Sequence, residues 1–390
     1  MKKFYNLFLV CLFCLPNLIS AQNFDKCASQ KLIEEAFAKN PQLKIQFEQN
    51  EARLGQAITK RLQSRNSSAQ ESFASPVVIP IVFHVVLTAG QQATVTDAMI
   101  YAQLATLNND YAGTNSDSAN VPAAFQAVRG HAQISFCMAQ RTPGGLAANG
   151  IDRVVSSTLS NTSQTNDPIK STAAGGVDAW DPTKYVNVWL CNFTNPTLLG
   201  YASFPIGSPE NGVGILSQQG VAVLAQSING GTAAPYNRGR TLTHELGHFF
   251  WLRHITGDAS CGNDFPNTPG IDDTPQQSSL TGGCAGIAPV VGNLASGCAA
   301  SPNPPGKMFQ NYMDYTDDAC MTMFTNGQNL RTETGINLYR SSLLTSDGCQ
   351  PPAPASSFNF VPSTPTTLGC GATTASVTIA TTATDRKSVV

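Results

Sequence analysis

The spacing of three histidines constrains the fold of this chain more than any other feature of its sequence. His244 and His248 lie four residues apart, about one turn of an α-helix, so that both imidazoles extend from the same side of that helix. His254 follows six residues later. A continued helix would carry it about 9 Å further along the axis, out of reach of the same ion. The helix must therefore end soon after His248, and the chain must turn back, if the three side chains are to meet.

Three histidines that meet in this way are typical of a zinc site, with zinc–nitrogen bonds of about 2.0–2.1 Å. Glu245 would lie beside the open coordination position, where a carboxylate can take a proton from water. The two other histidines of the chain, His84 and His131, lack the spacing of a third ligand. We interpret His84 as a hydrogen-bonded core residue, because it lies in a predicted buried strand. The alternative, a chance His-Glu-x-x-His on a surface helix, does not explain the spacing of His254.

Position 251 is where this chain departs from the usual form of the motif. A glycine normally makes the turn between the second and third histidines, because glycine adopts a positive φ without steric cost. Trp251 stands there instead, and a bulky residue with a positive φ is strained. We expect Trp251→Gly to be tolerated and, if Trp251 has a positive φ, to stabilise the turn. If Trp251 instead has an ordinary β conformation, glycine is expected to be neutral or destabilising. If Trp251 spoils the site, the chain is instead a metal-binding or adhesive module that lacks activity.

The first residues of the chain predict export. Two lysines precede a mostly apolar stretch at positions 4–19, and Ser20 and Ala21 form a small-residue cleavage site. We therefore expect residues 1–21 to be a signal peptide and the mature protein to be secreted. A membrane anchor is the alternative, but the apolar stretch is short and contains Pro16.

The charge of the chain limits the class of partner. Charged residues make up only 12% of the sequence, the formal net charge is −2, and no stretch is strongly basic. This argues against nucleic acid or an anionic membrane as the main partner. We expect protein or peptide substrates, and the sequence does not indicate an oligomeric state.

The pattern of apolar and polar residues divides the rest of the chain into segments. Residues 31–37 and 43–54 have the apolar spacing of helices, and the polar stretch at 65–75 is typical of an exposed, protease-sensitive linker. The predicted segments are 22–75 for a helical pro-segment and its linker, 76–350 for a compact domain, and 351–390 for a Pro/Ser/Thr-rich linker with the start of a truncated β-domain.

The compact domain alternates strand and helix patterns. The β-branched run at 77–87 suits a buried strand, and residues 96–111 have the spacing of an amphipathic helix. Between residues 257 and 306 no regular pattern is present, so cross-links, metal or both must hold this loop region together. We therefore predict a mixed α/β fold with helices packed on a sheet. Its further strands are predicted at 133–139, 185–191 and 220–228.

Cysteine usage fits an exported protein with disulfides. Of eleven cysteines, two lie in the predicted signal peptide, and the remaining odd number leaves at least one unpaired or paired between chains. Cys27 lies outside the compact domain and is the expected unpaired residue. Cys137 and Cys191 lie in two predicted strands and could pair if those strands are neighbours, which would leave Cys349 for Cys370.

The histidine stretch resembles the active-site motif of the metzincin zinc peptidases, His-Glu-x-x-His-x-x-Gly-x-x-His, which is followed by a Met-turn. Residues 311–315, Asn-Tyr-Met-Asp-Tyr, are similar to such a turn. Residues 239–241, 257–258 and the stretch after the Met-turn resemble the pappalysin branch in its bacterial cytophagalysin form. The resemblance covers residues 25–350. It implies a metzincin catalytic domain with a twisted, mostly parallel sheet, a zinc-binding active-site helix and a loop-rich C-terminal subdomain.

The resemblance also implies an activity. The chain would be a secreted endopeptidase with one catalytic zinc ion on its three histidines, with Glu245 as general base, and it would be made as a latent zymogen. Met313 would form an apolar floor beneath the metal, or else be an ordinary core methionine. Tyr315 would hydrogen-bond the tetrahedral intermediate and stabilise its charge, or else be a core tyrosine.

Pro-segments of this family use a cysteine to block the metal, and a thiolate is a good zinc ligand. Cys27 is expected to occupy the open coordination position, to displace the catalytic water and to keep the precursor inactive. The alternatives are a disulfide to Cys349 or Cys370, or an incidental thiol. Cleavage near Arg61 or Arg65 would then release the pro-segment.

Two further features follow from the resemblance. The disulfides that it favours are Cys261–Cys298 and Cys284–Cys320. Calcium is common in the family, and oxygen donors in a loop suit that ion, although solvated loop residues are equally compatible. The candidate calcium ligands are Asp264, Asp272, Asp273 and Thr274. Asp317 and Asp318 lie where the family builds its specificity pocket, which suggests a basic residue after the scissile bond, or else a solvated acidic pair.

Overall fold

Strand β1 (Val77–Leu87) lies inside the sheet, with neighbours along both of its edges. Residues 79–87 of this strand are all buried, which suits its β-branched and mostly apolar sequence. The computed structural model describes residues 26–65, 76–162, 167–203, 218–262, 273–284, 297–298 and 306–352.

The sheet is mostly parallel, as predicted. β2 (Ile134–Met138) and β3 (Ile151–Val155) pair with successive halves of β1, and β4 (Val186–Cys191) pairs with it over residues 81–85, all in parallel. β6 (Val221–Leu224) continues the sheet parallel to β4. The end strand β5 (Gly200–Ala202) runs antiparallel to β6, which is the one antiparallel strand pair among the described residues. The prediction of a mixed α/β fold is confirmed.

Three helices belong to the compact domain: α3 (Asp97–Ala112), α4 (Arg240–Phe249) and α5 (Asn326–Tyr339). The predicted helix at 96–111 therefore differs from α3 by one residue at each end. Thr325 and Gln328 form a capping box that begins α5. All ten residues of α4 are buried, and its apolar residues join the main core. These are Leu242, Leu246 and Phe249, with Phe250 directly after the helix.

Two N-terminal helices, α1 (Ser29–Lys39) and α2 (Pro41–Arg65), belong to the same compact unit as the sheet, Met1–Pro352. Both are longer than the helical patterns at 31–37 and 43–54. Leu54 and Ile58 of α2 are fully buried in a cluster that includes residues of α5. In the part of the chain that the structure describes, no helix has the length and apolar character needed to cross a membrane.

Three disulfides are present among the described residues. Two of them, Cys261–Cys298 and Cys284–Cys320, are the pairs that the family resemblance implied. The third, Cys137–Cys349, joins β2 to the segment after α5 across 212 positions of the sequence. Among the described residues, Cys27 and Cys191 are free and buried.

The expected pairing of Cys137 with Cys191 is wrong. Cys137 lies in β2 and Cys191 in β4, and β1 lies between those strands. Strands that are two positions apart are separated by about 9–10 Å, beyond the Cα–Cα limit of about 7 Å for a disulfide. Because Cys137 is bonded to Cys349, the expected Cys349–Cys370 pair is wrong as well.

Several predictions fall outside the described residues. They concern the signal peptide at 1–21, the linker at 66–75, the loop residues Asp264 and Asp272, and residues 353–390.

Candidate metal centre

The turn after α4 brings the three histidines together. The helix ends at Phe249, and Trp251 has a φ of 78°, in the left-handed region. The Leu252 amide donates to the carbonyl of Gly247 at 2.8 Å, so the chain folds back on the last turn of the helix. His248 Nε2 lies 3.2 Å from the Nε2 of His244 and 3.2 Å from that of His254. The required reversal is therefore made without a glycine at position 251.

Each imidazole is oriented by a hydrogen bond from its Nδ1. The acceptors are the carbonyl of Tyr312 for His244 (2.7 Å), the carbonyl of Leu252 for His248 (2.8 Å) and the carboxylate of Asp258 for His254 (2.7 Å). Because carbonyl and carboxylate oxygens only accept, the proton lies on each Nδ1, and the three Nε2 lone pairs face one another. Lone pairs this close repel unless a cation lies between them.

The protonation of the histidines and their spacing both fit a zinc ion. Burial, with a smaller effect of the neighbouring His254, lowers the pKa of His244 to about 3. Burial also lowers the pKa of His248 well below its usual value. Both are therefore neutral ligands at physiological pH. Bonds of about 2.0–2.1 Å at tetrahedral angles place ligand nitrogens about 3.3–3.4 Å apart, close to the observed separations.

Cys27 completes a group of four. Its Sγ and the ligand atoms of the three histidines all lie within 4.8 Å of one another, and all four residues are buried. The Ala28 amide donates to the Gly200 carbonyl at 3.1 Å, and the Gly200 amide donates to the Lys26 carbonyl at 3.2 Å. The segment thus lies along β5 as a short parallel bridge. Burial raises the pKa of the Cys27 thiol, with a further increase from Glu245, so that a thiolate there needs a cation as partner.

Glu245 lies next to Cys27. One of its carboxylate oxygens accepts from the Ser29 hydroxyl at 2.9 Å and from the Cys27 thiol at 3.5 Å. Burial raises the pKa of Glu245 to about 7, although these two hydrogen bonds oppose the increase. A Cβ on Gly200 would lie 2.8 Å from Cγ of Glu245 and 3.0 Å from the Ala222 carbonyl, so only glycine fits on β5 at this point.

The Met-turn lies under α4. Met313 is fully buried, and a Cβ on Gly247 would come within 2.5 Å of its sulfur, so the glycine between the two histidines of the helix allows this close approach. The Met313 carbonyl accepts from the Ile255 amide at 3.0 Å, which joins the turn to the segment of His254. The ring of Tyr315 lies 5.1 Å from that of His254, and its hydroxyl donates to the Cys27 carbonyl at 3.3 Å.

A buried polar network fixes the start of α4. The Arg240 guanidinium pairs with Asp110 of α3 and with Asp117, and donates to the Tyr312 hydroxyl at 2.8 Å. The Tyr312 carbonyl is the acceptor for His244. Asp110 also accepts from Thr243 at 2.7 Å. The network therefore holds the metal-binding helix, the Met-turn and α3 in one register.

Of the acidic pair after the Met-turn, Asp317 is partly buried and Asp318 is buried. Asp318 is buried and accepts from the backbone amide of Arg238 at 2.7 Å, and burial raises its pKa to about 6. The Lys26 ammonium donates to the Tyr315 carbonyl at 2.6 Å and lies 4.2 Å above the ring of Tyr236. Burial lowers the pKa of Lys26, while the charges of Asp317, Asp314 and Asp318 oppose this effect.

The described residues of the predicted calcium loop, Asp273 and Thr274, make structural contacts or none. Asp273 accepts from the Thr325 hydroxyl and from the Gly327 amide, both at 2.7 Å, and so caps α5. Thr274 is fully buried, and its hydroxyl has no hydrogen-bond partner. The group of Cys27 and the three histidines is the only metal-binding cluster of His, Cys, Asp and Glu found among the described residues. The calcium site stays a prediction.

The remaining histidines lie elsewhere. His84 is fully buried in β1, with Asp152 3.0 Å from its Nδ1 and Asn187 2.9 Å from its Nε2, which agrees with its interpretation as a core residue. His131 is exposed and bonds the Ala112 carbonyl. The sequence did not indicate the contacts of Ser29 and Asp258, since Ser29 lies 216 positions from its partner and Asp258 follows a non-helical turn.

Comparison with known proteins gives a consistent result. A model of the pregnancy-associated plasma protein-A peptidases matches residues 172–337. The structure of a mutant promirolysin from Tannerella forsythia is 34% identical, with a TM-score of 0.65, and covers 82% of this chain and 97% of its own. Mature mirolysin from the same organism, in complex with a cleaved peptide, is 37% identical over 69% of this chain and 97% of its own, with a TM-score of 0.59. An extracellular metalloprotease of Arthroderma gypseum is 28% identical over 70% of this chain and 76% of its own.

Proposed function

Because this chain belongs to the pregnancy-associated plasma protein-A family of metallopeptidases, the pappalysins, we propose that it is a secreted zinc endopeptidase made as a latent precursor. The observation that carries the proposal is the convergence of three histidine Nε2 atoms beside the Glu245 carboxyl. Secretion is supported by relatives that are named extracellular metalloproteases. In this proposal residues 22–75 are the pro-segment with its linker, and residues 76–350 are the catalytic domain.

The donor set favours zinc. Three imidazole nitrogens and one thiol are the ligands of tetrahedral zinc sites, whereas calcium and magnesium prefer oxygen. When bound, the zinc ion polarises the scissile carbonyl and makes water more acidic. His244, His248 and His254 would hold it, oriented by the acceptors of their Nδ1 protons.

Glu245 would act as the general base and then as the general acid. Its buried carboxylate lies beside the group formed by Cys27 and the three histidines, where it would take a proton from the attacking water and return it to the leaving amine. In the precursor its oxygen accepts from the Ser29 hydroxyl and lies 3.5 Å from the Cys27 sulfur, and departure of the pro-segment frees it. The Tyr315 hydroxyl, which donates to the Cys27 carbonyl in the precursor, then becomes free to donate to the developing oxyanion.

Residues 26–28 of the pro-segment occupy the position along β5 that a peptide substrate would take. Residues 26–28 bind the backbone of Gly200 on β5, the end strand of the sheet path, and an extended peptide can add to such a strand through the same hydrogen-bonding groups. The ammonium of Lys26 occupies the space beside Tyr236, near Asp314, Asp317 and Asp318. This favours a basic substrate side chain next to the scissile bond over a merely solvated acidic pair. Mirolysin is the neighbour that was solved with a cleaved peptide.

Latency is assigned to Cys27. Its sulfur lies with the three histidine ligand atoms and therefore occupies the position that water needs. Arg61, one of the expected cleavage positions, is instead held within α2 by Glu333 at 3.2 Å and Thr334 at 2.8 Å. We therefore place the activating cleavage after α2, at or beyond Arg65.

The experiment is hydrolysis of casein or gelatin by the processed protein. Activity should be lost on treatment with a chelator and return with stoichiometric zinc, while magnesium or calcium alone should not restore it. Zinc binding without any hydrolysis would refute the endopeptidase and favour the rival, a metal-binding module inactivated by Trp251. The position of His254 speaks against that rival, because the positive φ of Trp251 leaves this histidine 3.2 Å from His248.

A further inference from the structure

One face of α2 makes contacts that blocking of the metal by Cys27 does not require. Phe47, Glu51, Leu54 and Ile58 follow one another at intervals of four, three and four residues, which places them on one side of the helix. Leu54 and Ile58 are fully buried, and the side chain of Glu51 is 15% exposed. This face packs on α5 and on the turn that contains Trp251.

Trp251 is the centre of this contact. Its indole stacks on Phe47 of α2 at 5.7 Å with an interplanar angle of 6°, and on Tyr339 of α5 at 4.5 Å. Its Nε1 donates to the Glu51 carboxylate. The residue is 0% exposed, and Phe47 and Glu51 of α2 lie directly against its indole. Trp251 thus has a strained φ of 78°, and its contacts with Phe47 and Glu51 exist only while the pro-segment is bound.

The Glu51 carboxylate also holds two cations of the catalytic domain. It accepts from Arg331 at 2.5 Å and pairs with Arg253 at 3.4 Å. Arg331 is 1% exposed, and its Nε donates to the Trp251 carbonyl at 2.9 Å. The arginines and the Trp251 indole therefore contact neighbouring residues on the same face of α2. Loss of α2 would deprive Arg331 of a carboxylate and expose a large aromatic surface, both of which are costly.

From these contacts we infer that the catalytic domain has a dedicated docking surface for helix α2, centred on Trp251, which keeps the pro-segment bound after the linker has been cut. We call it the Trp251 latch and define it by Phe47, Glu51, Trp251, Arg331 and Tyr339. The inference rests on the proposed function, because it assigns a second step to activation. A cut in the linker leaves the Trp251 latch closed, and full activity follows only when α2 is itself degraded or dissociates.

The test uses the full precursor with Glu245→Ala, which prevents self-cleavage, and with a site for a specific protease inserted at positions 66–75. After the cut, gel filtration and mass spectrometry measure how fast the pro-segment leaves the domain. The pro-segment should stay bound, and it should stay bound for hours also when Cys27→Ala removes the thiol. Immediate loss of the pro-segment from the cut Cys27→Ala protein would overturn the proposal.

Two substitutions open the Trp251 latch from the side of α2. Glu51→Ala removes a carboxylate that binds the buried Arg331 and should speed release about tenfold or more, because truncating one member of a mostly buried charged pair acts on dissociation. Phe47→Ala removes the stacking partner and should act in the same direction. Glu48→Ala is the matched control, since Glu48 is exposed and pairs only with Lys44 on the same helix among the ion pairs described. Equal release rates for the three variants would overturn the proposal.

A further variant covers the case of a misfolded Glu51→Ala precursor, and the choice of measurement separates this proposal from the proposed function. If the Glu51→Ala precursor fails to fold, Glu51→Gln keeps an acceptor for the indole and removes only the charge, and it should still release faster than Glu48→Ala. No measurement here uses peptidase activity, so retention of the pro-segment supports the Trp251 latch even if the processed protein never cleaves casein. Conversely, an active enzyme whose pro-segment leaves at once refutes the latch and leaves the proposed function intact.

Discussion

Replacing Trp251 by glycine changes stability in two opposite ways: it relieves backbone strain and it removes packing contacts. Glycine adopts a φ of 78° without strain, so Trp251→Gly removes a cost of about 1–2 kcal/mol. The same change deletes a fully buried indole, which typically costs about 3–5 kcal/mol. It also removes a hydrogen bond to the charged Glu51, worth about 1.5–3 kcal/mol. We therefore expect the precursor to lose about 3–7 kcal/mol of unfolding free energy. The tolerance of Trp251→Gly that the motif alone predicts is then wrong for the precursor.

The loss should depend on the pro-segment. In the processed protein Phe47 and Glu51 are gone, and the indole keeps only its contacts within the domain, such as Tyr339 at 4.5 Å. The penalty of Trp251→Gly should then be smaller by about 2–4 kcal/mol, from the aromatic pair and the charged hydrogen bond together.

The assay is urea unfolding, followed by far-UV circular dichroism at fixed zinc concentration, of precursor and processed protein in the Glu245→Ala background. Trp251→Ala is the matched comparison, because alanine loses the same packing but keeps the strained φ. It should be less stable than Trp251→Gly by about 1 kcal/mol. A Trp251→Gly precursor as stable as its parent would refute the packing argument, and an alanine variant more stable than the glycine variant would refute the strain.

Three other predictions concern the metal centre. Glu245→Ala should keep the fold and bound zinc but lower casein turnover by about 100- to 10,000-fold, because Glu245 moves protons and is not a ligand; near-normal turnover would contradict the mechanism. Cys27→Ala should give an uncut precursor that cleaves itself or casein prematurely, as followed by gel electrophoresis, and a precursor as latent as the parent would leave only steric blockage. Asp258→Asn should weaken zinc binding about 10- to 100-fold in competition with a chromogenic chelator, since the carboxylate orients His254; unchanged affinity would remove that role.

Local spacing in the sequence was enough to predict the helix that carries His244 and His248 and the central strand β1. The interval of four residues between His244 and His248 dictates a helix in any fold that brings them together, and the run at 77–87 became β1 with the same bounds. The interval of six before His254 required a reversal, which the structure makes at Trp251. These features follow from neighbours along the chain, and so a single sequence contains them.

The sequence could not determine which distant segments meet. Cys137 and Cys191 lie in correctly predicted strands, yet the strand order puts β1 between them and gives Cys137 to Cys349. Trp251 looked like a defect of the motif, and only the tertiary structure shows its indole bonded to Glu51, 200 positions earlier in the chain. Such pairs depend on how helices and strands pack, which is set by burial of the whole core rather than by any local pattern. The spacing of residues along the chain therefore predicts the candidate metal ligands, whereas packing determines which distant residues orient and cover them.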